Sequence, residues 1–545
     1  MKGAQVITKF FDDHKISHLF GVSGANIEEL FECVYREKKI EIILAKSEYS
    51  AAAMAMGSYL ATKKPAFVLT TSGPGILNTI PILAEAYTSQ LPLVVISGQV
   101  PIQLEGMGAF QDTSGKGESL NIQKMLDECT CYQQKVESGS ELIGILKVAY
   151  QKASISKKPA VVLIPKNIFS EEIIYSLFDQ SLNSSIVEEI VNLPLAQNFC
   201  QSLDKYNKTP PLIVIGEECV HLYSQEIINE FVYKSGGAVA LTPNTKGLFD
   251  NFSPRYLGLI GIMGHDEVSE FLEKTENVVL IGVKFNLLNR IGFSSALFSK
   301  NVLFINEKKE ECLFDLSGIN PSYTYGNINN ILKNLNTQFV ESINPVLDIN
   351  SIKLNPEIYC WKNIINEIQD KLDPAGNVFI DAGNSGAFVI HHLKTRGNGN
   401  CYVSLGMGGM GNSIGTAIGS AVASKEKSYI FLGDGSFLIY GLEVHTAMEY
   451  NLPIVFFVMN NNSHGMCTTR EKIFLNGTTG INDFKNSFYA QGIEKMFPGI
   501  ITYEVDDLSK LKHCLHLLAD KNTPSLVSLT ISNSECPPFR SFIKN

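Results

Sequence analysis

Asp434 sits between Gly433 and Gly435, with Ser436 next, and Asn461 follows it by 27 positions inside the run Asn460-Asn461-Asn462-Ser463-His464-Gly465. A carboxylate and a carboxamide are hard oxygen donors of the kind Mg²⁺ takes into its octahedral shell. Flanking glycines let an anion approach the backbone, and a helix start just beyond offers N–H groups that the helix itself leaves unsatisfied. Together these residue types can hold a diphosphate through a metal ion, with Asp434, Asn461 and a main-chain carbonyl near Ser463 as the protein ligands. Taken alone, Gly-Asp-Gly is ordinary turn chemistry. Its pairing with a double Asn at this distance points to an anchor.

The distance matters because of the elements it spans. Ile430-Phe431-Leu432 reads as a buried strand, Phe437 to Tyr450 as a helix and Pro453 to Met459 as a second strand. One such crossover returns the chain to the same sheet edge, where open α/β sheets bind ligands. Short apolar runs of the same kind recur at Ala66–Leu69, Leu93–Ser97, Val161–Ile164, Leu212–Ile215, Val278–Ile281, Val302–Ile305 and Val378–Ile380, separated by segments of helical period. That alternation is the signature of parallel sheets covered by helices on both faces. A chain of 545 residues is too long for one core and suggests about three domains. Polar stretches at 170–195 and 336–356 divide it into 1–172, 190–340 and 355–535, with a tail at 536–545. The expected fold class is α/β, with three doubly wound parallel-sheet domains.

Composition narrows the partners. A formal charge of −10 and a pI near 5.6 argue against a nucleic acid or an anionic membrane as the ligand and favour a small molecule. Eleven Cys at irregular spacing give neither a disulfide framework nor a zinc site. With no apolar run near the roughly 18 to 20 residues needed to span a bilayer, the expected location is the cytoplasm.

A second carboxylate, Glu48, lies in Ala45-Lys46-Ser47-Glu48-Tyr49-Ser50, ahead of the small apolar run Ala51 to Ala55. Two readings stay open on the residues alone. One is a helix-start acid behind a Ser47 cap, favourable with the helix dipole. The other is a poorly hydrated carboxyl that can share its proton.

The anchor is accompanied by Thr71-Ser72-Gly73-Pro74-Gly75 with Asn78, Gly98-Gln99-Val100-Pro101, Ala109-Phe110-Gln111-Asp112, Thr242-Pro243 with Lys246-Gly247, and Gly406-Met407-Gly408 leading into Met410-Gly411. With these, nearly the whole chain resembles the thiamine-diphosphate (ThDP) enzymes, and within them the acetolactate (acetohydroxyacid) synthase-like branch. The resemblance implies a pyrimidine-binding, a central and a diphosphate-binding domain. It implies thiamine diphosphate and Mg²⁺ as cofactors and Glu48 as the acid that hydrogen-bonds the aminopyrimidine and promotes loss of the thiazolium C2 proton. Cofactor contacts fall on Thr71, Asn78, Gly383, Asn384, Ser385, Gly408, Met410, Gly433, Asp434, Gly435, Ser436, Asn461, Ser463, His464, Gly465 and Met466, with Asp434, Asn461 and Ser463 on the metal. Met410 matches the apolar wedge beneath the cofactor; in a Gly-rich segment a Met is otherwise a core filler. Asn384 and Ser385 stand where acetolactate synthases commonly have Gln and His.

On the substrate side the resemblance implies Ala25, Asn26, Phe110, Gln111 and Arg470. Phe110 and Gln111 match a pair bordering the reacting carbon in acetolactate synthases and pyruvate oxidases. A simple pyruvate decarboxylase would show two adjacent His near there, whereas His391-His392 is remote and reads as helix surface. The expected activity is decarboxylation of a small 2-keto acid such as pyruvate and transfer of the resulting unit to a carbonyl acceptor. A 2-keto-acid decarboxylase, a pyruvate-oxidase-like flavoenzyme and a non-catalytic binding protein of the same fold are the alternatives. Arg470 replaces a Trp of acetolactate synthases; a guanidinium there pairs with an anionic acceptor or is simply solvated. His464 is a proton donor to the acceptor or shapes its loop. Gly282-Val283-Lys284-Phe285-Asn286 matches a stretch beside FAD in some relatives and beside an empty site in others. The resemblance also implies an obligate homodimer with a site shared between subunits, assembled further into a homotetramer.

Overall fold

A computed structural model describes residues 1–173, 190–206, 210–221, 225–308, 321–339, 358–397, 401–475 and 477–539. Much of both polar stretches proposed as boundaries, and the end of the tail, lie outside the described residues.

Three six-stranded sheets, parallel throughout, account for the alternation read from the sequence. The first is built from β1 (His18–Gly21), β2 (Glu41–Leu44), β3 (Ala66–Thr70), β4 (Leu93–Gln99), β5 (Tyr132–Lys135) and β6 (Ala160–Pro165). The second contains β7 (Leu212–Ile215), β8 (Ala238–Leu241), β9 (Tyr256–Leu259), β10 (Asn277–Ile281), β11 (Asn301–Asn306) and β12 (Ser322–Tyr325). The third contains β13 (Asn377–Ile380), β14 (Cys401–Val403), β15 (Ser428–Gly433), β16 (Ile454–Asn460), β17 (Ile501–Val505) and β18 (Ser525–Thr530). Helices cover both faces, so the central strands are buried on both sides and read as unbroken apolar runs.

Strand order decides where ligands can go. The first sheet runs β2-β1-β3-β4-β6-β5 and the third β14-β13-β15-β16-β18-β17, so the two have one topology. In each, the order reverses between the first and third strands, and the loops after those strands diverge to leave a crevice. The second sheet runs β12-β11-β10-β7-β8-β9, the order of dinucleotide-binding folds.

The first and third units pack through the helices Glu48–Thr62 and Asn412–Ser424. Contact is close because small residues face each other. A Cβ at Gly57 would fall 1.8 Å from Thr416 O, and one at Gly419 would fall 1.8 Å from Met54 O. Ala51 to Ala55 are thus buried in this helix packing. Tyr49 stacks on Tyr440 at 4.0 Å, and Glu443 Oε1 accepts from Lys46 N at 3.0 Å.

Two expectations change. The segment read as one helix over 437–450 starts earlier and breaks, giving Asp434–Tyr440, a short 3₁₀ turn Gly441–Glu443 and Val444–Glu449. Gly441 lies against the Phe437 ring, where a Cβ would come within 2.7 Å, and the turn brings Glu443 to Lys46. His391-His392 is not helix surface. His391 stacks on His265 of the second unit at 4.0 Å and donates through Nδ1 to Met263 O at 3.0 Å. Burial pushes the His391 pKa down to about 4 and that of His392 to about 3.

Candidate active site

The crevice of the third sheet holds the anchor. In the β15–β16 ladder Gly433 pairs with Met459, and in the β16–β18 ladder Asn460 pairs with Thr530, so the chain leaves all three strands at one level. Asp434, Asn461 and Ile531 therefore arrive side by side at the carboxyl edge. Three helices begin at the same crevice, Asn384–His392, Asp434–Tyr440 and Gly465–Phe474, with N-cap residues Gly383, Gly433 and His464. None of the three N-caps makes a side-chain capping bond. Helix starts of this kind favour an anion through their N–H groups and dipoles, and no Lys or Arg is among the described residues lining the crevice.

The cavity has a volume of about 250 Å³ and is lined by Trp361, Ala382, Gly383, Asn384, Ser385, Gly408, Met410, Gly433, Asp434, Gly435, Ser436, Met459, Asn461, Ser463, His464, Gly465, Met466, Cys467 and Ile531. The Ser463 N–H donates both to Asp434 Oδ2 at 3.2 Å and to Asn461 Oδ1 at 3.1 Å, so these two oxygens converge. Asp434 Oδ1 accepts from Gly435 N at 2.9 Å. Burial pushes the Asp434 pKa up to about 6, against backbone N–H groups that lower it.

This donor set fits a hard divalent cation. Asp434 is a desolvated carboxylate facing backbone donors, with no Lys or Arg among the cavity residues to compensate it. A diphosphate in the same cavity would meet that carboxylate's charge unless a metal stood between them. Space is set closely: a Cβ at Gly435 would come within 2.8 Å of His464 Nδ1 and 3.4 Å of Met410 Cε. The His464 backbone donates to Asn482 O at 2.9 Å and its ring meets Phe484 edge-on at 4.6 Å, which holds the imidazole at the cavity wall.

The crevice of the first sheet gathers the other predicted residues. Ser47 caps the helix Glu48–Thr62, its Oγ accepting from Ser50 N at 3.1 Å, and Glu48 is the first helical residue. Its carboxylate is half-buried, accepting from Asn78 Nδ2 at 3.0 Å, and stands 3.7 Å from a Cβ built on Gly75. Thr71 Oγ1 accepts from Asn26 N at 3.3 Å, and Asn26 Nδ2 donates to Ser72 Oγ at 2.7 Å. Gln111 takes φ +61, in the left-handed region, beside Gly73, while Phe110 is 80% exposed. Ala25 is exposed, its carbonyl accepting from Lys166 Nζ at 2.6 Å.

Within one chain the two crevices are separate: Glu48, Thr71, Asn78, Phe110 and Gln111 do not line the anchor cavity. Arg470 does not reach it either. It is exposed, with its guanidinium 5.2 Å from the Phe474 ring centroid. Trp361, Ala382, Met459, Cys467 and Ile531 line the cavity without having been singled out from sequence. Only strand register brings Met459 and Ile531 there, and no residue type signals it. Among the described residues no cluster of three or more His, Cys, Asp or Glu forms a metal site, and no helix is long and apolar enough to cross a membrane. A second cavity of about 730 Å³, between the second unit and its neighbours, is lined in part by Lys158, Glu217, Asn244, Lys284 and Asn286.

Comparisons with known proteins agree in kind. The N-terminal TPP-binding domain model of thiamine pyrophosphate enzymes matches residues 1–119, the central-domain model 203–312 and the C-terminal TPP-binding domain model 381–529. A probable acetolactate synthase large subunit of Methanocaldococcus jannaschii is 24% identical, over 99% of this chain and 93% of that one. An acetolactate synthase large subunit of Cyanidium caldarium is 25% identical, over 98% and 94%, and one of Haemophilus influenzae is 24% identical, over 88% and 85%.

Proposed function

The chain belongs to the thiamine pyrophosphate enzymes, and from that premise we propose that it is a ThDP- and Mg²⁺-dependent carboligase, taking its donor unit from a small 2-keto acid such as pyruvate and transferring it to a carbonyl acceptor. The observation that carries this reading is the anchor cavity: three uncapped helix starts, one desolvated carboxylate and no side-chain cation. Similarity to proteins named acetolactate synthase supports the carboligase over simple aldehyde release.

When bound, the cofactor would supply a nucleophilic carbon and an electron sink for decarboxylation of the keto acid. The protein's part is holding, orienting and moving protons. Asp434, Asn461 and the Ser463 carbonyl would hold the metal and through it the diphosphate. Met410, also lining the cavity, would support the organic part of the cofactor. The Glu48 carboxyl exchanges a proton with the aminopyrimidine nitrogen, and Asn78 keeps that carboxyl aimed. His464 orients a substrate oxygen at the cavity wall.

Glu48 and Asp434 lie in different crevices of one chain, so the reading requires a second copy that brings its first-sheet crevice over the anchor. Exposed apolar residues beside the anchor support this: Met407 is 61% exposed, Leu438 56%, Ile439 52% and Leu442 54%. Phe110 and Gln111 of the second copy then border the reacting carbon. A homotetramer would be two such dimers. FAD fits the 730 Å³ cavity by size, with Lys158 and Lys284 as cations and the buried Asn244 Oδ1 lacking a partner among the described residues. None of these groups selects a flavin over another dinucleotide, and the visible spectrum of the purified protein decides. Cytoplasmic residence goes with the reading, the described cysteines being free thiols.

The test is mass spectrometry of products from pyruvate, alone and with a panel of carbonyl acceptors, with and without ThDP and Mg²⁺. Cofactor-dependent carbon–carbon bond formation is expected. Release of free aldehyde as the main product under every condition would overturn the carboligase.

A further inference from the structure

Glu85 belongs to no motif read from the sequence and does not line the anchor cavity, yet its carboxylate is 1% exposed and tied to the cavity wall. It lies on the helix Ile80–Thr88 of the first unit. Its Oε1 accepts from Ser89 Oγ at 2.7 Å, Tyr402 OH at 3.2 Å and Gly406 N at 3.0 Å. Its Oε2 accepts from Met407 N at 2.6 Å and Gly408 N at 3.2 Å. Three successive amides of the third unit thus converge on one acid of the first, and no ion pair among the described residues includes Glu85. Five donors converge on this buried carboxyl, and burying such a group is costly unless it is hydrogen-bonded. The loop is also pressed against the Glu85 helix, since a Cβ at Gly406 would meet Thr88 Oγ1 at 2.4 Å, Ser89 Oγ at 2.6 Å and Glu85 Oε1 at 2.8 Å.

What the loop carries gives this contact its meaning. Gly408 and Met410 line the cavity, and the next contacts along the chain are also fixed: Tyr49 OH donates to Met410 O at 3.2 Å, and Gly411 N donates to Asp381 Oδ2 at 2.8 Å. Tyr49 and Asp381 hold the loop after Met410, and Glu85 holds it before.

We propose that Glu85 is a positioning residue that pins Gly406–Gly408 and so sets the height of Met410 in the cavity, governing affinity for the organic part of the cofactor and not for its diphosphate. The inference rests on the cavity being the ThDP site. Glutamine is a poor substitute, because its NH₂ would face backbone N–H donors and leave them unpaired.

Trp361 is the only Trp of the chain and lines this cavity, so its fluorescence reports occupancy. The full-length wild type, Glu85→Gln, Glu85→Ala and Gly406→Ala are titrated with Mg²⁺ and ThDP, and separately with Mg²⁺ and inorganic pyrophosphate. In the variants the Kd for ThDP is expected to rise about tenfold, the cost of one or two charged hydrogen bonds, while that for pyrophosphate stays within about twofold. Gly406→Ala attacks the contact from the loop side and keeps the test open if an acid variant fails to fold. Unchanged ThDP affinity in the variants overturns the role, and so does an equal loss for both ligands, which would make Glu85 a general prop. A wild type that binds pyrophosphate but not ThDP would instead overturn the cofactor reading itself.

Discussion

The first and third sheets have the same strand order and the same point of reversal, yet their crevices are equipped for opposite tasks. In the third, helix starts and Asp434 line a half-open cavity, which the proposed function fills with a metal and an anion. In the first, the loops present Glu48, Asn78, Gln111 and an exposed Phe110 to the outside. One topology supplies two kinds of site because the sheet fixes only where loops leave it, and the loop residues decide what is bound. On the function proposed above each crevice is incomplete: one offers a cofactor cradle without a proton-handling carboxyl, the other the carboxyl without a cradle.

The largest effect should come from emptying the third-sheet crevice. Asp434→Ala removes the only carboxylate lining the cavity, and ThDP affinity in the presence of Mg²⁺ should fall more than about a hundredfold, with turnover lost. Because that carboxylate is desolvated in the metal-free protein, the thermal midpoint without metal should not drop. Striking the first-sheet crevice with Glu48→Gln should lower turnover by about a hundred- to ten-thousandfold while ThDP affinity stays within a few-fold. An equal mixture of these two variants, refolded or co-expressed, should recover about a quarter of wild-type activity, since half the dimers are mixed and each restores one of two sites. No recovery would place both crevices in one chain's site.

Acid should act on a different junction, between the second and third units. His391 and His392 are held below the usual imidazole range by burial, so between pH 6.5 and about 4 the unfolded chain binds protons that the folded one does not. Stability is then full above about pH 6.5 and lost as pH falls, by roughly 3 kcal/mol for a shift of this size at one His. Denaturant midpoints measured from pH 7 to 5 check the sign, and a His391→Gln variant should flatten the slope. The smallest effect is expected from Arg470→Ala, within about twofold for neutral and anionic acceptors alike, as for other solvated surface charges. A selective loss with an anionic acceptor would return Arg470 to the substrate site.

Much of this was legible along the chain. Every apolar run read as a strand is one, because strands buried on both faces must be apolar throughout. The edge strands β2, β5 and β17 carry Glu41, Gln133, Gln134 and Glu504 and escaped notice, being only partly covered. That Asp434 and Asn461 meet in one cavity was readable, since they lie within one crossover. His391 misled about its exposure, because it is buried by a distant segment.

The sequence by itself determined the class of fold, the family and the placement of Asp434 and Asn461 at one sheet edge, since these depend on residue type and short spacing. Only the tertiary structure decided that Glu48 and Asp434 occupy separate crevices, that Arg470 turns outward and that Glu85 grips the loop before Met410. Those facts rest on contacts between residues up to several hundred positions apart, which strand register and helix packing fix and local sequence does not.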